Sequence, residues 1–301
     1  MRRLGILLGA MFVMAMTTTG ALVVWPISSE TPEIGVTGDV QAGAYLARAS
    51  GCISCHTDFE NGGQPLAGGV TFETPFGILV SPNITTDPRH GIGSWSEEDF
   101  ARAVRQGISP DGHAYYPAFT YPFYHSFTDT QIADLWAAFQ TVAPVPEDAP
   151  EHDLPFPFNQ RWTLKVWRAA FLTEPATDPV DGMSDVWNRG RFLVEGAAHC
   201  GACHTRRNLA GARIPDRKFM GNPDLPGTDA PSITAKALAE GGWTVSNLAY
   251  ALKTGLTPEG DVFGGTMGEV VNYGTAYLTD DDRKAIAAYL LTPIAEQLAR
   301  K

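Results

Sequence analysis

The stretches CISCH, residues 52–56, and CGACH, residues 200–204, share one pattern: two cysteines two residues apart, followed at once by histidine. Together they contain all four cysteines of the 301-residue chain. A redox dithiol does not need the histidine in both copies, and a zinc site would need four ligands converging from the two stretches. The pattern therefore indicates a different use of the thiols.

Cys-x-x-Cys-His is the attachment pattern of c-type haem, in which two thiols add to the vinyl groups and the histidine becomes the proximal iron ligand. We predict two covalently bound haem c groups. They use all four cysteines for attachment and two histidines as proximal ligands: Cys52, Cys55, His56, Cys200, Cys203 and His204.

The two motifs belong to an internal repeat with an offset of 148 residues. At this offset Trp95 coincides with Trp243 and Gly107 with Gly255, and Pro82 falls within one residue of Pro231. We therefore predict two haem-binding domains, residues 39–145 and 183–297. The connector between them, residues 146–182, is rich in proline and aromatic residues and is expected to pack against both domains.

Helical patterns dominate both domains. Capping residues precede several amphipathic runs, such as Asp39 before the first motif, Ser96 with Asp99, Thr128 and Thr279. A short helix is also expected in the connector sequence NQRWTLKVWRAAFL. The sequence predicts an all-α fold with little room for a sheet.

The N-terminus carries Arg2 and Arg3 before a charge-free run that extends from Leu4 to Ser29. This run is longer than the apolar core of a cleaved signal and ends in LVVWP. We expect residues 1–29 to form an uncleaved apolar helix that anchors the protein to the inner membrane, with the domains on the periplasmic side. Cleavage near Ala21 is the alternative.

The composition is that of a globular protein, with 44% hydrophobic residues and a net charge of −11. No nucleic-acid partner is expected, and no nucleotide site, metal triad or acid/base pair suggests a catalytic residue.

The distal ligands differ between the two copies. Met267, 67 residues after Cys200, is the predicted distal ligand of the second haem, since methionine commonly completes the coordination of electron-transfer haem. The equivalent residue of the first copy is Phe119, which cannot bind iron, and no methionine lies between Thr17 and Gly182.

Histidine is the leading substitute at the first haem. His125 and His113 lie six residues on either side of Phe119, and we take His125 as the first candidate and His113 as the second. An open or water-bound iron is the third possibility. A bis-histidine haem would have a lower reduction potential than the methionine-ligated second haem, so electrons would run from the first haem to the second.

Three longer runs resemble the cytochrome c subunits of membrane-associated periplasmic dehydrogenases, those serving alcohol, gluconate and related oxidoreductases: TPFGILVSPNITTDPRHGIGSWSEEDFARAVRQGISPDG, LPFPFNQRW and GRFLVEGAAHCGACHTRRNLAG. The resemblance covers residues 39–294, including the loops and the connector. It implies two tandem class I-like cytochrome c domains, with His56 and His204 as proximal ligands and Met267 as a distal ligand.

The sequence departs from that family in two respects. Well-known alcohol dehydrogenase subunits carry three haem units, whereas this chain has two, and the family pattern YPAM reads YPAF at residues 116–119. Neither quinone reduction nor the distal ligand of the first haem therefore follows from the resemblance.

The leading functional hypothesis is a non-catalytic relay. It takes electrons from the catalytic subunit of a periplasmic dehydrogenase and passes them to a cytochrome, oxidase or quinone of the respiratory chain. The alternative is a diheme redox enzyme, a peroxidase or sulfur-compound oxidoreductase, in which the first haem is the reactive centre. An open distal site at that haem would favour the alternative.

Overall fold

The computed structural model of the protein describes residues 33–225 and 229–292, together with Gly20, Ile27 and Thr31. These residues form ten α-helices and one two-stranded sheet, so the fold is mostly helical, as predicted. The elements are α1 Val40–Ala49, α2 Cys52–His56, β1 Thr71–Thr74, β2 Gly77–Val80, α3 Glu97–Gln106, α4 Asp129–Phe139, α5 Thr163–Phe171, α6 Asp185–Phe192, α7 Ala235–Glu240, α8 Val245–Thr254, α9 Gly265–Tyr273 and α10 Asp280–Leu291.

Side-chain caps start the helices where the sequence predicts them. The Asp39 carboxylate accepts a hydrogen bond from the Ala42 amide (2.8 Å) at the start of α1. Ser96 and Asp99 form a reciprocal capping box at α3, and Thr128 caps α4. These bonds satisfy amide donors that a helix leaves free at its first turn.

The internal repeat extends to the backbone of the loops. Helices α3 and α8 both end at a left-handed glycine, Gly107 (φ 64°) and Gly255 (φ 77°). The chain then turns back in the same way in both copies, since Tyr115 donates to the Gly107 carbonyl (2.8 Å) and Phe263 to the Gly255 carbonyl (2.7 Å). The two loops therefore correspond residue by residue at the offset of 148.

The sheet was not expected from the sequence. Strands β1 and β2 form an antiparallel hairpin in the first copy, and Ile78 of β2 exchanges two backbone hydrogen bonds with Asp153 of the connector (2.8 and 2.9 Å). The strands are four residues each, and their loop, Pro75–Phe76, lacks the Asn-Gly or Asp-Gly signal typical of hairpins. The two strands therefore leave no clear signal in the sequence.

The first and last helices of each copy cross at a glycine. A Cβ on Gly43 of α1 would lie 1.7 Å from the Asp134 carbonyl oxygen of α4, and a Cβ on Gly190 of α6 would lie 2.0 Å from the Ala285 carbonyl oxygen of α10. Only glycine allows the backbones to approach this closely.

The two copies are joined at Asp282 on α10. Its carboxylate accepts two hydrogen bonds from Arg189 of α6 (2.8 and 2.7 Å) and one from the Tyr45 hydroxyl of α1 (2.6 Å). One carboxylate thus ties the first helix of the first copy to both terminal helices of the second.

The connector packs against both copies. In α5, Leu164 is buried against Ile108 and Ala114 of the first copy. Trp167, on the same helix, donates its indole N–H to the Ala210 carbonyl of the second copy (2.8 Å). The connector helix therefore lies between the two halves of the chain.

Within the described ranges, no helix is both long and apolar enough to cross a membrane. The apolar segment predicted as an anchor or signal, residues 1–29, lies outside the described residues apart from Gly20 and Ile27. Ile27 packs against the small cluster that contains Leu164.

Candidate haem sites

The first motif forms a single helical turn, α2, entered through Gly51 in a left-handed conformation (φ 68°). Cys52 and Cys55 are unpaired and half-buried on this turn. Burial raises the pKa of Cys52 to about 12 and that of Cys55 to about 11, so both remain protonated thiols at neutral pH.

His56 is oriented by a backbone carbonyl. Its Nδ1–H donates to the Pro82 carbonyl oxygen (2.8 Å), which fixes the tautomer and leaves Nε2 as the free nitrogen. Burial lowers the pKa of His56 despite this bond, so the ring is neutral near pH 7. A neutral imidazole with one nitrogen held by a carbonyl is the usual state of a histidine that ligates a metal.

The second motif repeats this arrangement. Cys200 and Cys203 are unpaired, and His204 Nδ1 lies 2.7 Å from the Pro231 carbonyl oxygen. Burial lowers the pKa of His204, as it does for His56. The amide of Gly221 donates to the His204 carbonyl (3.0 Å), just as Gly68 donates to that of His56 (2.8 Å).

Met267 lies in the first turn of α9, half-buried against the main hydrophobic core. It lies four positions after Phe263 of the repeated loop, as Phe119 lies four positions after Tyr115. Phe119 is also half-buried against the same core. Both residues thus follow the repeated loop and pack against the same core, although Met267 is helical and Phe119 lies in a bend; iron ligation by Met267 stays a prediction.

The two candidate histidines of the first copy lie in different environments. His113 is exposed at the tip of the repeated loop, where its backbone carbonyl accepts from the Ser109 amide (2.8 Å). His125 is half-buried, and its Nδ1 lies 3.0 Å from the Pro122 carbonyl oxygen. The His125 ring makes none of the ring contacts that join Phe119 to its aromatic neighbours.

The two motifs touch each other. Gly51 precedes Cys52 and His199 precedes Cys200, and a Cβ on Gly51 would lie 3.3 Å from His199 Cε1. Tyr124 bridges the same contact, since its hydroxyl donates to the Ser50 carbonyl (2.7 Å) and lies 3.3 Å from His199 Nδ1. No sequence motif marks His199 as functional, although the offset of 148 pairs it with Gly51.

A second contact joins the first motif to the helix that carries Met267. The Phe59 ring, three residues after His56, stacks on the Tyr273 ring at the end of α9, with centroids 3.8 Å apart and planes within 3°. Both contacts place the second copy directly against the first attachment site.

Comparison with known proteins gives a close match over nearly the whole chain. No family model matches the sequence. A protein of Cereibacter sphaeroides named diheme cytochrome c-type is 41% identical over 281 residues, which cover 90% of this chain and 93% of the relative. The chain belongs to the diheme c-type cytochromes.

Cytochrome subunits of dehydrogenases are also similar to this diheme cytochrome. The gluconate 2-dehydrogenase cytochrome c subunit of Pantoea cypripedii is 40% identical over 83% of the chain, which spans 58% of that subunit. The fructose dehydrogenase cytochrome subunit of Gluconobacter japonicus is 39% identical over 86% of the chain, which spans 54% of it. The chain thus spans little more than half the length of these two relatives.

The residues of both motifs fit covalently bound haem. Each copy offers two unpaired thiols and an imidazole whose Nε2 is left free by a carbonyl bond. Ser50 Oγ, two residues before Cys52, is buried without a hydrogen-bond partner in the described part of the chain. Such a donor suits a bound group that carries polar oxygens.

Proposed function

We propose that this cytochrome is the electron-transfer subunit of a periplasmic dehydrogenase, relaying electrons from the catalytic subunit to a cytochrome, oxidase or quinone of the respiratory chain. The similarity to subunits named for gluconate and fructose dehydrogenases supports a dehydrogenase as the donor. The donor's substrate is not specified by any residue of this chain.

The observation that carries the proposal is the contact between the two attachment motifs. Tyr124 joins Ser50 to His199, the residue before Cys200. The Phe59–Tyr273 stack adds a second contact. A chain that holds two redox groups at touching sites is suited to pass electrons within one molecule. Haem supplies one-electron chemistry when bound, while the protein supplies its attachment and axial ligands.

Each ligand has a proposed role. The four cysteines fix the groups, His56 and His204 are the proximal ligands, and Met267 is the distal ligand of the second haem. At the first haem the sequence favours His125 among the histidines, and its Nδ1 lies at the Pro122 carbonyl; an iron with no sixth ligand from this chain is the alternative to ligation by its Nε2.

A periplasmic location, with an N-terminal anchor in the inner membrane, is part of the proposal. It is supported by the covalent attachment motifs, whose haem is added on the oxidising side of a bacterial inner membrane, and by the apolar segment after Arg2 and Arg3.

One observation favours a second function, that of a diheme redox enzyme such as a peroxidase or sulfur-compound oxidoreductase. Phe119 stands where a methionine ligand would otherwise lie, so the first haem is the candidate reactive centre. The similarity to cytochrome subunits of dehydrogenases favours the relay over this second function.

The experiment mixes the full-length protein, with both haems attached, with the dehydrogenase catalytic subunit encoded nearest to its gene. With the substrate of that dehydrogenase, we expect both haems to become reduced, and a matched sample without substrate to stay oxidised. Haems that stay oxidised in both samples would contradict the relay. Without the dehydrogenase, steady consumption of hydrogen peroxide with a chemical electron donor, or of thiosulfate with a chemical electron acceptor, would establish the enzyme instead.

A further inference from the structure

Phe119 corresponds in the repeated sequence to Met267, the predicted distal ligand of the second haem. The repeated loops place it four residues after Tyr115, whose amide bond to Gly107 matches that of Phe263 to Gly255 in the second copy. Met267 lies at the corresponding position of the second loop. The matched backbone ends there, since Met267 lies in α9 and Phe119 in a bend, so the phenyl ring corresponds to the thioether by its position in the repeated sequence.

An aromatic cluster surrounds this phenyl ring. The Phe119 centroid lies 5.8 Å from that of Tyr115, 6.0 Å from Tyr121 and 6.2 Å from Tyr124. Tyr124 connects the cluster to the first attachment site, because its hydroxyl donates to the Ser50 carbonyl two residues before Cys52 (2.7 Å). We call Tyr115, Phe119, Tyr121 and Tyr124 the aromatic cap.

The aromatic cap carries no charge at neutral pH. Its members are three phenols and one phenyl ring, and Tyr121 and Tyr124 are almost fully buried. A phenol ionises only at about pH 10, so these side chains are neutral at pH 7 and are weak iron ligands compared with phenolates. The Arg168 guanidinium borders the cap, 5.0 Å from the Tyr121 ring centroid.

The first copy supplies few other ligands. Residues 39–145 contain neither methionine nor lysine, and the motif cysteines are used for attachment. His113 is exposed at a loop tip, and the His125 ring is held at the Pro122 carbonyl without a ring contact to Phe119. His90 has its Nδ1 2.8 Å from the Asp148 carboxylate, and none of these three histidines belongs to the aromatic cap.

We propose that the first haem has no sixth ligand from this chain, and that the aromatic cap forms an uncharged distal pocket that admits a small neutral diatomic molecule. Carbon monoxide is the probe of this class, since it binds ferrous haem that has an open position. The proposal and ligation by His125 exclude each other.

The test titrates the full-length protein, with both haems attached and reduced by dithionite, with carbon monoxide. We expect one carbon monoxide per two haems, seen as a change in half of the Soret absorption. The oxidised protein should show one high-spin and one low-spin signal in electron paramagnetic resonance.

Three variants assign the site. Phe119→Met restores the ligand type of the second copy with little change in volume, and should abolish carbon monoxide binding and the high-spin signal. Met267→Ala should raise the stoichiometry to two, and His125→Ala should leave both readouts unchanged. If Phe119→Met does not fold, Phe119→Leu keeps the pocket apolar and should retain one binding site.

Two results would overturn the proposal. One is an unmodified protein with two low-spin haems and no bound carbon monoxide. The other is a His125→Ala variant in which a high-spin signal or a carbon monoxide site first appears, since that would establish histidine ligation. Neither result depends on a dehydrogenase, so the relay function stands or falls on its own test.

Discussion

Single residues decide how the two copies of one unit differ. Met267 and Phe119 lie at corresponding sequence positions just after the repeated loop, and only the methionine offers an atom that can bind iron. His199 is the other such residue. It adopts a left-handed conformation (φ 37°, ψ 41°) at the position that Gly51 occupies in the first copy. Non-glycine residues rarely adopt this conformation, and at His199 it places the imidazole against the first motif.

Met267→Ala should lower the reduction potential of one haem. A thioether ligand raises the potential relative to an open or water-bound iron, and axial ligands span about 0.8 V in all, so we expect a fall on the order of 0.1 V. A spectroscopic redox titration measures both haems in one sample. The matched variant Met220→Ala, at an exposed methionine, should leave both potentials unchanged. Identical redox titration curves for Met267→Ala and the unmodified protein would exclude Met267 as a ligand.

Two substitutions at His199 separate strain from packing. His199→Ala removes the contacts with Gly51, Phe123 and Tyr124 and keeps the left-handed strain, whereas His199→Gly removes both. Left-handed backbone costs roughly 1 kcal/mol for a residue with a Cβ, so the glycine variant should be the more stable of the two by about that amount. Urea unfolding of the two variants gives the difference. A more stable alanine variant would mean that position 199 is not strained.

Pairs of elements hold the two copies together. In each copy the first and last helices cross at a glycine, and Asp282 then links α1, α6 and α10 through Arg189 and Tyr45. Trp187 and Tyr289 also pack together across the α6–α10 crossing, with centroids 4.9 Å apart and ring planes tilted by 59°. These contacts set the position of the two attachment motifs, because α1 and α6 each lead into one of them.

Gly190→Ala should force the α6–α10 crossing apart. The added methyl group would lie 2.0 Å from the Ala285 carbonyl oxygen, so the helices must separate, at a cost of about 1–3 kcal/mol in the free energy of unfolding. Gly35→Ala is the control, since a Cβ there meets no atom within 4 Å. Denaturant titration of both variants tests the close approach. Equal stability of Gly190→Ala and Gly35→Ala would contradict it.

The Asp282 junction should make stability depend on pH. Burial acts to raise the pKa of Asp282, but its hydrogen bonds from Arg189 and Tyr45 outweigh burial, and the net pKa is lowered. A lowered pKa in the folded protein gives stability that is fully present above the unfolded value of about 4 and is lost as the pH falls through the folded value. Asp282→Asn should therefore be destabilising at pH 7 and much less so near pH 3. A destabilisation that is equal at both pH values would show that the charge does not matter.

At the scale of the whole molecule, one chain brings its two attachment motifs into contact. The sequence predicts the attachment motifs, the repeat and the helix caps, because each depends on residues close together in the chain. It does not predict the β1–β2 hairpin, whose outer strand pairs with Asp153 of the distant connector, or the contact of Gly51 with His199. Both features depend on contacts between residues far apart in the chain, and no local sequence pattern indicates the partner.

Electron exchange between the two sites of one molecule tests the central claim most directly. A single electron is introduced into the fully oxidised protein by pulse radiolysis, and the absorption of each haem is followed at several protein concentrations. We expect the electron to redistribute between the two haems at a rate independent of protein concentration, because the sites adjoin within one chain. Redistribution whose rate rises in proportion to protein concentration would mean that electrons pass between molecules, and would contradict the relay.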